Sequence, residues 1–185
     1  MEKPLLIIIE GIDGTFKSTV CEKLSKKLNL PVEHHGPVKD LEAGKKEYFD
    51  FVNNCNYAVI KDRFAMGERT YSLIYRGYKA DYMKELEDAL QEKFDVFLFY
   101  LTAEDEFIKR NLEKRGEDFL KMEDLKHIHS LCDEYYKEST ILQKYKLDAE
   151  VGSDLLTEII IFKIFKKISL ECEAENLIKK MKGIE

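Results

Sequence analysis

Two kinds of apolar pattern alternate along the 185-residue chain: uninterrupted runs, and longer segments in which apolar residues recur at helical spacing. Uninterrupted runs rich in Ile, Val and Phe are typical of strands that are buried in a parallel sheet. The strongest runs predict strands at residues 5–10, 57–62 and 95–101, and shorter stretches predict two more at 31–35 and 145–151.

Helices are predicted between these strands, because apolar residues there recur every three or four positions. The first begins at Lys17, where Val20, Leu24 and Leu28 share one face. Further helical segments cover residues 64–90, 104–116, 122–145 and 153–168, with a surface helix over 169–185. In the 122–145 helix, Leu142 is expected to face inward.

Strands that alternate with helices predict an α/β fold, in which right-handed crossovers produce a parallel sheet of about five strands with helices on both faces. No linker composition interrupts the chain, so we expect one domain over residues 1–185, with 169–185 as a C-terminal extension. Ligands of such sheets bind at the carboxyl ends of the strands. The polar segments GIDGTFKS, HHGP and DRF follow the first three predicted strands and are expected to converge there.

Composition excludes several classes of partner. The formal net charge of −6 argues against a nucleic-acid-binding protein, which usually presents a basic face. Four scattered cysteines without a C-x-x-C pair indicate reduced thiols and a cytoplasmic location. The most apolar late stretch, residues 155–165, is interrupted by Glu158 and Lys163 and falls short of the roughly 20 residues that span a bilayer. We expect no membrane role.

Residues 11–19, GIDGTFKST, approach the phosphate-binding pattern G-x-x-x-x-G-K-[ST], with Gly11, Lys17 and Ser18 at the required spacing. In such a loop, backbone N–H groups and the following helix N-terminus point at a phosphate, and the lysine reaches the β and γ oxygens. Ser18 is the expected Mg²⁺ ligand. The candidate nucleotide-binding residues are Gly11, Gly14, Thr15, Phe16, Lys17, Ser18 and Thr19.

Phe16 stands where the pattern has its second glycine, which favours close backbone approach and a permissive φ. The loop keeps its N–H donor at this position if the ring points away from the phosphates, toward the protein or across the nucleotide. We expect this arrangement to require a negative φ at Phe16. The alternative is a damaged loop with weakened ATP binding.

Asp62 and Arg63 directly follow a buried strand. An acid at that place binds Mg²⁺ or its waters, and an arginine takes a phosphate in a bidentate manner. A surface ion pair at the strand end is the simpler interpretation of an isolated Asp-Arg, but a neighbouring phosphate loop favours the functional one.

Four segments together resemble the thymidylate kinase family of P-loop nucleoside monophosphate kinases: IIIEGIDGTFKST, VIKDRFAMGERTYSLIYRG, FYLTAEDEFIKRNLEKRGED and LDAEVGSDLL. The short HHGP segment resembles the compact phage-type members. The similarity covers roughly residues 5–168, and E-G-x-D-G-x-x-K-S-T and D-R-F are its specific parts. It implies a P-loop NTPase three-layer sandwich, ATP and Mg²⁺ as cofactors, a small nucleotide as substrate, and a homodimer.

The resemblance also implies roles for individual residues. Asp13 would face the acceptor sugar and Arg63 would grip the acceptor phosphate. Arg110 and Arg115 would belong to the lid that closes over the transferring phosphoryl group, although a solvated helix face explains these two equally well.

Two features depart from the family. Phe16 replaces the glycine, and the connection over residues 36–56 is much shorter than in cellular thymidylate kinases. Base identity is therefore open.

Other candidates border the predicted cleft. Arg69 and Arg76, seven residues apart, would share one helical face and line the acceptor pocket, or else lie on the surface. Tyr48, Phe49 and Phe51 would stack a base, although an aromatic cluster beside a short helix is more often core.

Histidines suggest two further sites. His34 and His35 alternate at a strand end, so at most one is expected to face the cleft. His127, His129 and Cys132 do not predict a zinc site, because on a helix the two histidines diverge by about 200°.

Three functions remain to be compared. The leading one is ATP-dependent phosphoryl transfer to a deoxynucleoside 5′-monophosphate, with dTMP as the foremost acceptor. A deoxynucleoside kinase would need a carboxylate base at the end of the second strand, where this chain has Gly36 and only Glu33 could reach in. A nucleotide-binding protein that lost turnover through Phe16 is the third.

Overall fold

The computed structural model describes residues 3–116 and 122–181, without the side chains of Arg115, Met122 and residues 175–181. One sheet contains five strands: β1 (Leu5–Gly11), β2 (Val32–His34), β3 (Val59–Asp62), β4 (Asp95–Thr102) and β5 (Gln143–Asp148). Their order is β2-β3-β1-β4-β5, and every neighbouring pair is parallel. The predicted parallel five-stranded sheet is confirmed, and the chain has the α/β fold of P-loop NTPases.

Seven α-helices connect or follow these strands within the described residues: α1 (Lys17–Leu28), α2 (Leu41–Asn54), α3 (Ala65–Tyr71), α4 (Met83–Lys93), α5 (Asp105–Arg115), α6 (Leu125–Glu138) and α7 (Ser153–Met181). Helix α1 packs against α7, α3 against α6, and α2 against α4. The central strands β1 and β4 are covered on both faces, so their side chains from Leu6 to Ile9 and from Val96 to Leu101 are buried. This burial explains why both strands read as continuous apolar runs.

The order of the strands places the site. β1 lies between β3 and β4, so the loop after β1 and the residues after β3 leave the same edge of the sheet side by side. Ile9 pairs with Asp62 in the register of β1 and β3. Two of the three polar segments are therefore brought together by the sheet itself.

The predicted 122–145 helix is wrong at its C-terminal end. Helix α6 ends at Glu138, and Ser139 has an extended backbone with φ −54° and ψ 132°. The following residues pair with β4 as strand β5, and Leu142 is 85% exposed rather than inward-facing. Sheet pairing at Gln143 thus overrides the helical spacing that continues past Glu138.

The predicted helix over 64–90 is divided. Helix α3 continues into a π-helical turn at Ser72–Arg76, and Gly77, with φ 71°, ends it before α4 begins at Met83. A positive φ at this position suits glycine, and it allows the chain to leave the helix.

Helix α7 runs without a break across residues 168 and 169, where the sequence predicted two helices. Residues 182–185 lie outside the described residues. No helix in the described ranges is long and apolar enough to cross a bilayer.

Candidate active site

The loop after β1 is shaped by two glycines that no other residue would replace without a clash. A Cβ on Gly11, where φ is 147°, would lie 2.2 Å from the carbonyl oxygen of Leu101 in β4. Gly14, with φ 91°, packs against the backbone of Ile108 in α5. The side-chain amide of Asn111 donates a hydrogen bond to the carbonyl oxygen of Gly14 over 2.9 Å. The loop is therefore held against β4 and α5.

Phe16 immediately precedes α1 and adopts a left-handed backbone with φ 66° and ψ 15°. The expectation of a negative φ was wrong. The amide of Val20 donates to the carbonyl oxygen of Phe16 over 2.9 Å, so the left-handed residue begins the helix as a glycine would. This conformation costs a non-glycine residue about 1–2 kcal/mol. The ring packs edge-on against Phe107, at 5.8 Å between centroids and 83° between planes, and this contact offsets part of the strain.

One carboxylate joins the loop to the neighbouring strand end. The Lys17 ammonium is buried and donates to the carbonyl oxygen of Ile12 over 2.8 Å and to Oδ1 of Asp13 over 3.2 Å. The guanidinium of Arg63 donates to the same Asp13 oxygen over 2.5 Å. Two cations thus face one carboxylate at the junction of the loop and the end of β3.

Arg63 is held by its backbone as well as by its side chain. It has a positive φ of 68°, and its amide donates to the carbonyl oxygen of Ile9 over 3.0 Å. The next residues are tied to Glu10, whose Oε1 accepts from the amides of Phe64 and Met66 over 2.9 and 2.8 Å. The strand end of β1 therefore positions Arg63 through two independent sets of hydrogen bonds.

Glu10 is a buried carboxyl that the sequence analysis did not select. It is 1% exposed, and this burial raises its pKa to about 7, against the opposing effect of the amides of Met66 and Phe64. A signal was present in the sequence, because an acid closes an otherwise apolar buried strand directly before Gly11.

Asp62 and Ser18 are the candidate Mg²⁺ ligands. Asp62 is buried, its Oδ2 lies 3.3 Å from Nδ1 of His34, and its Oδ1 has no hydrogen-bond partner among the described residues. Strand β3, which ends at Asp62, packs against α1. Ser18 is exposed in the first turn of that helix. A carboxylate oxygen without a partner beside a phosphate loop fits a hard divalent cation.

A cavity of about 580 Å³ opens next to the loop. Its lining includes Asp13 from the loop after β1, His34 to Pro37 after β2, Arg63 and Phe64 after β3, and residues of α3 and the π-helical turn. The three polar segments therefore converge at one cleft, as the sequence predicted. The volume lies within the range of small-molecule sites.

His34 and His35 both line this cavity, so the expectation that at most one would do so was wrong. Strand β2 ends at His34, and the alternation of faces does not extend to His35. His35 is buried, with its ring 4.1 Å from that of Tyr48, and burial lowers its pKa to about 4. It is therefore a neutral imidazole at neutral pH.

The aromatic residues of α2 belong mainly to the core. Phe51 stacks on Phe94 with 5.8 Å between centroids. Tyr48 is fully buried and donates to the carbonyl oxygen of Phe64 over 3.1 Å, and it also forms part of the cavity wall.

Arg69 and Arg76 lie in different environments. Arg76 lines the cavity, whereas Arg69 binds Glu138 of α6 over 2.5 Å outside it. The π-helical turn at Ser72–Arg76 places an extra residue in the turn, so residues seven apart no longer share a face. Glu68 is a further cavity residue that the sequence analysis missed; its only sequence signal is an acid within a helix with few other charges nearby.

Of the two predicted lid arginines, Arg110 is not among the described residues that line the cavity. Arg110 is exposed, and its guanidinium lies 5.4 Å from the centre of the Phe107 ring, the ring that Phe16 also contacts. Arg115 is the last residue of α5, and its side chain lies outside the described residues.

No protein-family model matches the chain. It is 32% identical over 163 residues to the SPbeta prophage-derived uncharacterized protein YorR of Bacillus subtilis strain 168, covering 85% of this chain and 97% of YorR. Thymidylate kinase of Leptospira borgpetersenii is 25% identical and covers 85% of this chain, with 92% of that protein matched. Guanylate kinase of Clostridium acetobutylicum is 24% identical and covers 98% of this chain, with 95% of that protein matched.

Solved structures agree with these relatives. The crystal structure of YorR, in complex with phosphorylated GDP, superposes with a TM-score of 0.73 at 28% identity, covering 89% of this chain and 98% of YorR. Deoxyadenosine kinase from M. mycoides shares the fold, with a TM-score of 0.61 at 18% identity over 88% of this chain and all of that chain.

Proposed function

We propose that the chain, which belongs to the same family as YorR and is also similar to thymidylate and guanylate kinases, is an ATP- and Mg²⁺-dependent nucleoside monophosphate kinase. It would transfer the γ-phosphoryl group of ATP to a deoxynucleoside 5′-monophosphate, with dTMP as the first acceptor to test. The observation that carries this proposal is the contact of Asp13 with both Lys17 and Arg63, which joins the phosphate loop to the cavity.

The loop and the cavity divide the reaction between them. Lys17 and the loop amides bind the β and γ phosphates of the donor, and Arg63 binds the acceptor phosphate at the near end of the cavity. The nucleophile is a phosphate oxygen that is already anionic, so positioning and charge neutralisation suffice and no general base is needed. Asp13 contacts both cations and so holds them next to each other.

Ser18 and Asp62 would hold Mg²⁺ against the donor phosphates. The ion neutralises charge on the β and γ oxygens when it is bound. The partnerless Oδ1 of Asp62 supports this assignment.

Arg110 and Arg115 stay proposals for the closing side of the site. Helix α5 carries both, and Asn111 of the same helix is bonded to the loop at Gly14. This bond holds α5 beside the loop, so Arg110 would approach the transferring group from this helix and stabilise the charge on its equatorial oxygens.

A deoxynucleoside kinase is the first rival, since its acceptor is a neutral 5′-hydroxyl that needs a carboxylate base. Glu33 is engaged elsewhere: it accepts from the hydroxyl of Tyr57 over 2.5 Å and from the ammonium of Lys61 over 2.7 Å. The residue that directly follows the end of β2 is His35, which is not a carboxylate. These contacts favour the monophosphate as acceptor.

A protein that binds nucleotide without turnover is the second rival. Phe16 keeps the backbone path of a glycine, and its ring turns toward Phe107. This geometry favours a working loop.

A phosphoryl-transfer assay with radiolabelled ATP and Mg²⁺ tests the proposal, with thymidine and dTMP as parallel acceptors. We expect labelled product from the monophosphate and none from the nucleoside. Product from thymidine alone supports the first rival. Calorimetric ATP binding without any product, together with activity in Phe16→Gly, supports the second.

A further inference from the structure

At the cavity wall beyond Arg63, a carboxylate and a guanidinium lie side by side. Glu68 of α3 is 4% exposed, and its Oε2 accepts from Arg76 of the π-helical turn over 2.5 Å. Its Oε1 accepts from the hydroxyl of Tyr78 over 2.6 Å. Both Glu68 and Arg76 line the cavity. The buried Glu68 carboxylate is therefore held in place by two partners, while the Arg76 side chain stays 20% exposed.

Both groups keep hydrogen-bonding capacity beyond these contacts. A carboxylate offers about four acceptor sites and a guanidinium five donors. The Nε of Arg76 is buried and has no hydrogen-bond partner among the described residues. The pair therefore offers an acceptor and a donor in adjacent positions.

The position of the pair corresponds to that of a base rather than a phosphate. Glu68 lies about one helical turn, roughly 5 Å, beyond the start of α3 at Ala65, and Arg63 directly precedes that helix. Tyr71 lies about one turn further along α3 than Glu68, and it lines the cavity together with Tyr75. Its ring stacks on Tyr75, at 6.0 Å between centroids and 12° between planes. A nucleotide whose phosphate contacts Arg63 would have its base within the same cavity, beside these rings and the Glu68–Arg76 pair.

We propose that Glu68 and Arg76 recognise the lactam edge of the acceptor base, which is a ring N–H next to a carbonyl oxygen. This inference rests on the proposed function and names its substrate class. Thymine, uracil, guanine and hypoxanthine present this edge, with the N–H donating to Glu68 and the carbonyl accepting from Arg76. Adenine and cytosine held in the same register present a bare ring nitrogen to Glu68 and an amino group to Arg76, which would leave Glu68 without a donor and place N–H against the guanidinium. Buried polar groups left unpaired make such a site strongly selective.

The first experiment measures both binding and turnover in the native protein. Calorimetry without ATP compares dTMP, its N3-methyl derivative and dAMP, and the labelled-ATP assay compares dTMP, dGMP, IMP, dAMP and dCMP. We expect lactam nucleotides to exceed amino-type nucleotides in kcat/KM by about 100-fold, and N3-methylation to weaken dTMP binding by a similar factor.

Substitutions then test the pair directly. Glu68→Gln should reduce the selectivity for dTMP over dCMP to within about 10-fold, because an amide both donates and accepts, while the KM for ATP stays unchanged. Arg76→Lys keeps the charge that Glu68 needs in the buried pair but loses the planar fork, and should also reduce the selectivity. Tyr78→Phe is the matched control. It removes one hydrogen-bond partner of Glu68 but leaves the Glu68 carboxylate and the Arg76 guanidinium in place, so it should keep the selectivity.

The outcomes separate the two proposals. Equal turnover of lactam and amino-type nucleotides overturns the proposal that Glu68 and Arg76 recognise the lactam edge, and it leaves the kinase assignment unchanged. Selective binding of lactam nucleotides without turnover supports that proposal and contradicts the kinase assignment. Loss of selectivity in Tyr78→Phe equal to that in Glu68→Gln would show a purely structural network and overturn that proposal. Thermal melts of each variant identify one that has failed to fold, and the N3-methyl comparison in the native protein then decides.

Discussion

The phosphate loop and the acceptor cavity adjoin each other at Asp13, yet they are built by different means. The loop is a run of consecutive residues whose shape follows from backbone conformation, with positive φ at Gly11, Gly14 and Phe16. The cavity wall is assembled from the ends of three strands, a short helix and a π-helical turn, and buried hydrogen bonds over long sequence distances hold it together. The donor side should therefore tolerate few backbone changes, whereas the acceptor side should depend on individual buried side chains.

Lys17→Met gives the largest expected effect, and it should impair the action on the donor phosphates without impairing acceptor binding. We expect kcat to fall by about 10²- to 10³-fold, because a preorganised charge on the transferring phosphoryl group is removed. Acceptor binding, measured by calorimetry, should stay within about threefold because Arg63 retains Asp13. Lys26→Met, on the exposed face of α1, is the control. An equal loss in both variants would contradict the role of Lys17.

Arg63→Lys breaks the acceptor side. We expect the acceptor kcat/KM to fall by about 100-fold, mainly through KM, because a lysine cannot offer the bidentate fork to a phosphate. The KM for ATP should not change. Arg69→Lys, whose guanidinium binds Glu138 outside the cavity, should leave both KM values unchanged in the same steady-state assay. A rise in the KM for ATP alone would place Arg63 on the donor side.

Glu10 directly precedes the loop and accepts hydrogen bonds from the residues that follow Arg63, so it connects the loop to the cavity wall. It also makes the free energy of unfolding depend on pH. Its pKa is about 7 in the folded protein against 4.5 for an unperturbed glutamate, so the native state binds more protons between these values. Its contribution is fully present below pH 4.5 and is lost as the pH rises through 7, by about 3 kcal/mol in all. Urea unfolding of the native protein and of Glu10→Gln across pH 5–8 measures the difference between the two slopes.

His35 changes the pH dependence of the free energy of unfolding in the opposite direction, so its contribution must be separated from that of Glu10. Its pKa falls from 6.5 to about 4, so its contribution is present above pH 6.5 and is lost as the pH falls through 4. Subtracting the Glu10→Gln curve from the native curve cancels this term. A difference that does not change with pH would show that Glu10 titrates normally.

Phe16 substitutions give the smallest expected effects, and they separate the backbone strain at this residue from the contact of its ring with Phe107. Phe16→Gly relieves about 1–2 kcal/mol of left-handed strain but loses the edge contact with Phe107 and makes the unfolded chain more flexible, so the free energy of unfolding should change by less than about 1 kcal/mol. Phe16→Ala keeps the strain and loses the ring, and it should be the less stable of the two in thermal melts. Phe16→Ala as stable as the native protein would show that the ring is not a stabilising contact.

Much of the fold was predictable from the sequence, because strands buried on both faces and amphipathic helices leave strong patterns. The errors arose where pairing or local backbone competes with periodicity. Leu142 continues a helical spacing, but the residues after it pair with β4. Arg69 and Arg76 share a face only on a regular helix, and the π-helical turn separates them.

The sequence by itself determined the glycine-shaped loop after β1, the parallel sheet and the convergence of three polar segments, since each depends on residues that are consecutive or on strand order. Only the tertiary structure decided that Phe16 keeps a left-handed backbone, that Glu10 positions Arg63, and that Glu68 and Arg76 form one charged pair in the acceptor wall. Those features depend on burial and on hydrogen bonds between distant segments. Burial sets the protonation of a carboxyl and the partners available to it, and no local pattern of residues encodes either.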